Sequence, residues 1–444
     1  MFADLIPQFG GLIWTILAFV LALSIIVAIH EYGHYIVGRW CGIKADVFSI
    51  GFGPILFSRM DRHGTRWQMA ALPLGGYVKF RGDGNAASVG DDGTLEEMTP
   101  EERAQTMTGA SLWRRAATVA AGPVFNFILS ILLFAGMVMF LGRPTEMPTV
   151  GETVLLPPEM IQLEPGDQIL SIAGNPIETF ADLNNVVRDL PSVPLLPYEV
   201  LRDGSVIEVE ATPPMPARAD TVQPRSAAWD IGMRPGDVIL TAEGNPLYSF
   251  SDLQAVVKAA DGGTVTLTAW RDGEILDFIL QPRMRDVPLP DGGFERRALI
   301  GITSSLAFEP ATVRSGPIEA ISFGGQQVWS ILGRSLSSLG YIITGKISTC
   351  NLSGPIGIAQ TSAVAASHGA ATFIGFIALL SAAVGMLNLF PIPVLDGGHL
   401  VFHAYEAVRG KPPSDNAVRI LMMIGIALMG ALMVFALFND LTCA

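Results

Sequence analysis

The chain has 444 residues, half of them hydrophobic and only 16% charged, with a formal net charge of −13. That length exceeds one ordinary domain, and that balance points to segments held in lipid rather than to a wholly aqueous fold. The acidic balance excludes nucleic acid as a partner, because phosphate binding needs concentrated Lys and Arg; the cysteines, Cys41, Cys350 and Cys443, are too few for a disulfide framework and lack the spacing of a cysteine zinc site.

Leu12 to Ile29 is apolar, but no Lys or Arg precedes it and no small-residue cleavage site stands out. Residues 1–38 are therefore expected to be a retained membrane span rather than a cleaved secretory signal. Crossing a hydrocarbon core of roughly 30 Å takes about 20 apolar residues at the helical rise. Leu12 to Val37 meets that length, as do Ala116 to Leu141 and Ala417 to Phe438.

Residues 39–115 carry strand patterns at Val47 to Phe52, Ile55 to Met60, Thr65 to Ala71 and Tyr77 to Phe80, with a turn at Asp61 to Gly64. They predict a β-hairpin on the cytoplasmic side. The side follows from charge: this connection holds Arg59, Arg62, Arg66, Lys79 and Arg81, and the one near Arg409 holds Lys411 and Arg419. Asp4, Asp440 and the long middle section then lie outside, which in a Gram-negative cell is the periplasm.

The second span, 116–141, contains Gly122-Pro123 and Asn126. Small-residue helix packing accounts for Gly122.

The middle section repeats at a period of about 70 residues. Pro165-Gly166-Asp167 aligns with Pro235-Gly236-Asp237, Gly174-Asn175-Pro176 with Gly244-Asn245-Pro246, and Arg202-Asp203-Gly204 with Arg271-Asp272-Gly273, the last being a hairpin signal. Two copies of one small α/β domain are expected, at 145–215 and 220–285. Each unit resembles a PDZ domain in permuted form, a kind of domain that binds chain ends by adding a strand to a sheet edge. A pair of spacers is the plainer reading.

From Gly316 to Gly345 apolar residues recur at helical spacing, but Gln326, Gln327 and Arg334 interrupt them. An Arg near the bilayer midplane costs at least about 2.5 kcal/mol, so residues 310–350 are expected to hold an amphipathic helix on the membrane surface. Residues 371–408 form a third span, broken at Pro391 and Pro393, and broken backbone at membrane depth survives where it lines a polar site or is buried in protein. The fourth span is 417–438. Cys350 and Cys443 both fall on the oxidising outer side, so a disulfide tethering the last helix is one option.

His30-Glu31-Tyr32-Gly33-His34 carries the chemistry. Helical residues four apart share a face, so two imidazoles can grip one Zn²⁺ ion, and Glu31 is then placed as general base. The setting sharpens the motif, since ionisable groups at the end of an apolar span are costly unless they serve a site. A catalytic zinc takes a third protein ligand and keeps an open position. The first and third spans run in the same direction and both His34 and Asp396 lie late in them, so Asp396 is the expected partner near the cytoplasmic leaflet. His399 and His403 form a rival pair, but Leu400 follows His399 where a Glu would stand. The Asn388 amide is a candidate to steady substrate or an oxyanion, or else to cap broken helix backbone.

A transmembrane His-Glu-x-x-His paired with Asn388-x-x-Pro391-x-Pro393-x-Leu395-Asp396-Gly397 resembles the site-2 protease family of intramembrane zinc metalloproteases. The resemblance covers nearly the whole chain and is strongest to bacterial members with tandem PDZ domains between their second and third spans. It implies a multi-span α-helical membrane protein of the bacterial inner membrane, with two inserted PDZ-like domains and both termini in the periplasm. It implies zinc ligands His30, His34 and Asp396, with Glu31 catalytic, and, because Gly122-Pro123 and Asn126 echo a family pattern, Asn126 as a residue that contacts substrate or braces the site. It further implies transmembrane protein substrates, such as an anti-sigma factor already trimmed outside or a remnant signal peptide, and a re-entrant hairpin whose edge pairs with unwound substrate. The PDZ pair would serve as a size filter. The family usually has an apolar residue where His403 stands. Two other classes compete: a non-catalytic scaffold presenting two PDZ domains, and a transporter, which predicts a symmetry between membrane halves that the sequence lacks.

Overall fold

The computed structural model describes residues 12–83, 98–223, 226–288, 294–346, 349 and 352–442. Cys350 and Cys443, and with them the disulfide considered between them, lie outside the described residues; Cys41 is a free thiol. The chain divides into two compact units, one comprising Met1–Met137, Pro317–Gly340 and Leu352–Cys443, the other Val138–Gly316 and Tyr341–Asn351.

The first unit opens with α1 (Leu12–Trp40), followed by β1 (Ala45–Met60), β2 (Arg66–Phe80), the single turn α2 (Pro100–Arg103) and α3 (Leu112–Leu141). The expected run of short strands is realised as two long bent ones. β1 pairs antiparallel with β2, but it turns sharply at Gly51 and Gly53, whose φ of 90° and 87° suits residues without a Cβ. Residues 47–50 thus lie between 76–79 and 66–69, leaving 55–60 at one edge and 76–80 at the other. The first edge exposes Ile55, Leu56, Phe57 and Met60. The second lies against α1, where a Cβ on Gly38 would meet the Phe80 ring at 2.6 Å.

The turn between β1 and β2 is tied to α1 through Asp61. Its carboxylate accepts from the Tyr35 hydroxyl at 2.8 Å, the Trp67 indole at 3.1 Å, and the N–H groups of His63 and Thr65 at 2.7 and 2.9 Å. Burial pushes the Asp61 carboxyl up, but the donors outweigh it and bring it down to about 2.

The second unit begins with β3 (Arg143–Pro144) and β4 (Val150–Thr153). A first module follows as β5 (Gln168–Ile172), β6 (Asn175–Pro176), α4 (Phe180–Val186), β7 (Leu196–Arg202) and β8 (Ser205–Ala211). A second follows as β9 (Thr221–Val222), α5 (Ala227–Asp230), β10 (Val238–Ala242), β11 (Asn245–Pro246), α6 (Phe250–Ala259), β12 (Val265–Arg271) and β13 (Glu274–Leu280). The unit closes with β14 (Arg283–Pro288), β15 (Phe294–Leu299), β16 (Ile302–Thr303), β17 (Phe308–Pro310) and β18 (Thr312–Val313).

Corresponding strands take corresponding places, β6-β5-β7-β8 in one sheet and β11-β10-β12-β13 in the other. The repeated motifs meet across each module. Asp167 is fully buried and receives Arg202 Nε and Nη2, both at 2.7 Å; Asp237, also fully buried, receives Arg271 at 2.6 and 2.7 Å. A buried carboxylate needs such a two-pronged partner, which explains why Pro-Gly-Asp and Arg-Asp-Gly recur together. The hairpin turns Asp203-Gly204 and Asp272-Gly273 have positive φ at both positions, as a tight twisted hairpin requires. The modules extend beyond the limits expected from the repeat. Ala298, Ile300 and Ile302 enter the core of the second, and Phe308 enters that of the first, because β16 pairs with β9 and β17 with β4.

The first unit resumes with α7 (Pro317–Ile343), α8 (Pro355–Ser367), α9 (Ala370–Asn388), α10 (Asp396–Arg409) and α11 (Asp415–Thr442). The packed stripe of α7 is Ala320, Gly324, Val328 and Ile331, which meets Ile131 of α3 and Ala382 of α9. The N-terminus of α8 has no side-chain cap of its own. Asp440 of α11 supplies one, accepting from the N–H groups of Gly354, Ile356 and Gly357 at 2.9, 2.9 and 3.2 Å.

Among the described residues four helices are long and apolar enough to cross a membrane: Ile13–Trp40, Leu112–Leu141, Ala370–Asn388 and Asn416–Thr442. They correspond to the four spans read from the sequence and fit a multi-span membrane protein. The third ends at Asn388, and the chain then runs without helix through Pro391 and Pro393 until α10 begins at Asp396.

Candidate metal centre

The centre is built where α1, α3 and the start of α10 meet. Glycines permit the approach: a Cβ on Gly33 of α1 would lie 2.6 Å from the Ala121 carbonyl of α3. A Cβ on Gly122 of α3 would lie 2.3 Å from His34 Nε2 and 2.7 Å from His30 Cε1, so α3 rests its bare backbone on both imidazoles. Gly397 and Gly398 do the same for the broken segment, which folds its Leu389, Phe390 and Ile392 carbonyls onto the first turn of α10. That fold brings Asp396 to the imidazoles.

His30, His34 and Asp396 are the one group of three or more potential metal ligands among the described residues. His30 Nε2 lies 3.2 Å from His34 Nε2; Asp396 Oδ2 lies 3.1 Å from the first and 3.5 Å from the second. A tetrahedral ion with bonds of about 2.0–2.1 Å sets its ligands about 3.3 Å apart, so these separations match the edges of such a site. Asp396 Oδ2 is buried and has no hydrogen-bond partner of its own, a costly state for a carboxylate oxygen unless a cation faces it. The His34 ring is held in the right form, because Nδ1–H donates to the Thr118 carbonyl at 2.9 Å and leaves the Nε2 lone pair free. The donor set and its spacing fit zinc.

The same residues border a cavity of about 360 Å³ together with Glu31, Gly76, Tyr77, Val78, Asn388, His399 and His403. Glu31 stands beside the ligands and against the inner hairpin edge, where a Cβ on Gly76 would meet its Cγ at 3.0 Å. Asn388 lines the cavity from the end of α9. Asn126 does not line it: the residue is fully buried, with its amide 3.2 Å from His30 Nδ1. His399 and His403 face the cavity but stand outside the ligand group.

Sequence reasoning did not find the Thr118 carbonyl, since every residue offers one, nor the contact of Gly122 with the imidazoles. It also did not find the ion pair of Arg115, which lines the cavity, with Glu406, 2.5 Å apart on α3 and α10.

The chain matches peptidase family M50 over residues 18–432. It is 36% identical over 434 residues to a protein of Agrobacterium fabrum assigned by name to the zinc metalloproteases, covering 98% of this chain and 97% of the relative. A similarly named protein of Rhizobium meliloti is 37% identical, with 96% of each chain covered. The regulator of sigma-E protease of Salmonella typhimurium is 34% identical, over 97% of this chain and 99% of the relative.

Proposed function

The chain belongs to peptidase family M50 and is a zinc metalloprotease of the site-2 type, and on that premise we propose that it cuts single-pass membrane proteins within or beside the bilayer, using His30, His34 and Asp396 as zinc ligands and Glu31 as general base. The observation that carries the assignment is the convergence of both imidazoles of the His-Glu-x-x-His helix with a carboxylate from the broken third span.

Zinc, when bound, supplies positive charge that polarises the scissile carbonyl and acidifies water. Glu31 takes a proton from the attacking water as its oxygen joins the carbonyl carbon, and gives that proton to the departing nitrogen as the C–N bond breaks. Asn388, on the cavity wall, steadies the substrate chain. A helical substrate hides its peptide bonds within its own ladder and must first unwind. The hairpin edge at 76–80, beside Glu31, is the strand edge proposed to pair with the unwound chain and replace its lost hydrogen bonds.

The charge pattern supports a place in the bacterial inner membrane with the active site near the cytoplasmic leaflet and the repeated modules and both termini outside. Trp40 at the end of α1 and Trp113 at the start of α3 are both exposed, which suits an interfacial belt on the cytoplasmic side. The two modules act as PDZ-like filters that admit substrates already trimmed outside. The likeness to a regulator of sigma-E protease makes an anti-sigma factor the first substrate to test, with remnant signal peptides second.

The deciding experiment replaces Glu31 by Gln. The variant should keep fold and stoichiometric zinc and lose cleavage of a tagged single-pass substrate; continued cleavage would reject the role of Glu31. A parent protein that carries no zinc and is indifferent to chelators would be a scaffold instead.

A further inference from the structure

Asn126 stands in the middle of an apolar span with no exposed surface, and a buried amide is costly unless both its ends are used. It lies one helical turn past Gly122, so the two share the α3 face that meets α1. α9 holds it there: Ser381 Oγ donates to the Asn126 carbonyl at 2.9 Å, and a Cβ on Gly385 would lie 3.2 Å from the Asn126 Cβ. The Asn126 amide reaches His30 Nδ1, with Nδ2 at 3.2 Å, while Oδ1 is buried without a partner.

The two ends of the amide exchange by a half-turn about χ2. With Nδ2 toward the ring, His30 Nδ1 must accept, and the ring proton sits on Nε2, directed at His34 Nε2 and Asp396 Oδ2. With Oδ1 toward the ring, Nδ1–H donates to it, and the Nε2 lone pair is left for a cation. Only the second arrangement is compatible with His30 as a ligand.

We infer that Asn126 is the positioning residue of the metal centre, accepting from His30 Nδ1–H through Oδ1 and so holding the ring in the tautomer and orientation that zinc needs. The inference rests on the zinc-ligand assignment above. The two histidines are thereby braced from the same helix in different ways: His34 by a backbone carbonyl that no substitution removes, His30 by one side chain that a substitution can remove.

The test is zinc affinity, measured on the full-length protein in detergent by competition with chelators of graded strength. Asn126→Leu keeps the volume and removes the acceptor, and should weaken zinc binding about 10–100-fold. Asn126→Asp keeps an acceptor and should stay within about threefold of the parent. A packing role alone gives the reverse order, with Leu harmless in an apolar interior and Asp damaging. Leu equal to the parent, or Asp as weak as Leu, overturns the inference. Should the Leu variant fail to fold, Asp alone decides: affinity held supports the inference, and a loss beyond about tenfold rejects it. A parent that binds no zinc rejects the ligand assignment, a result distinct from any ranking of the variants.

Discussion

Replacing Gly122 by Ala would put a methyl carbon 2.3 Å from His34 Nε2, where ordinary contact begins near 3.4 Å. The pair must part by about 1 Å, and neither side can give cheaply, because the nearest atoms belong to two imidazoles rather than to the end of a flexible chain. A zinc site tolerates ligand displacements of about 0.2 Å. The displacement therefore removes His34 from coordination, and zinc binding should fall by at least about 100-fold, or about 2.8 kcal/mol. The sign makes the test sharp: Gly to Ala inside a helix otherwise stabilises by about 1 kcal/mol, whereas overpacking costs about 1–3 kcal/mol. Metal content and chelator competition on the purified variant, with thermal unfolding in detergent as the fold control, read both effects. A Gly122→Ala protein that is more stable and holds zinc as tightly as the parent would show that α3 does not rest on the imidazoles, and the geometry of the centre would have to be redrawn.

Arg271→Ala strands the fully buried Asp237 carboxylate and should cost about 3–5 kcal/mol, seen as faster proteolysis between β9 and β13 in the full-length chain; unchanged protease resistance would deny that the pair holds the module. Asp440→Ala uncaps α8 and leaves buried N–H groups unmet, so thermal stability in detergent should drop by about 2 kcal/mol, and no drop would mean water serves α8 equally well. Asp61 has a folded pKa of about 2 against an ordinary 3.8, so its contribution is present at neutral pH and is lost as the pH falls through that interval toward 2. Asp61→Asn should be less stable at pH 7 and show a flatter acid limb; parallel acid limbs in parent and variant would contradict the assignment.

The features legible in the sequence are those whose cause is local. Apolar length marks the spans, helical spacing pairs His30 with His34, and the recurring Pro-Gly-Asp and Arg-Asp-Gly motifs announce two copies of one module. Asp396 stands out in the sequence because a lone carboxylate past a broken helix has few reasons to exist in lipid. The features that were not legible depend on partners far away in the chain. Helix α8 is rich in small residues and has no apolar periodicity to signal it, and its cap comes from Asp440 on another helix. The alternation of the hairpin's strands is local, but their folding back on themselves follows from pairings that local alternation does not encode. The edges of the modules are illegible for the same reason, since β16 and β17 return from beyond the repeat to join each core.

Asp396 comes from the last fifth of the chain, long after the helix that bears His30 and His34. On the proposed ligand assignment the centre cannot be complete until α10 has been made, because α1 and α3 precede Asp396 by more than half the chain.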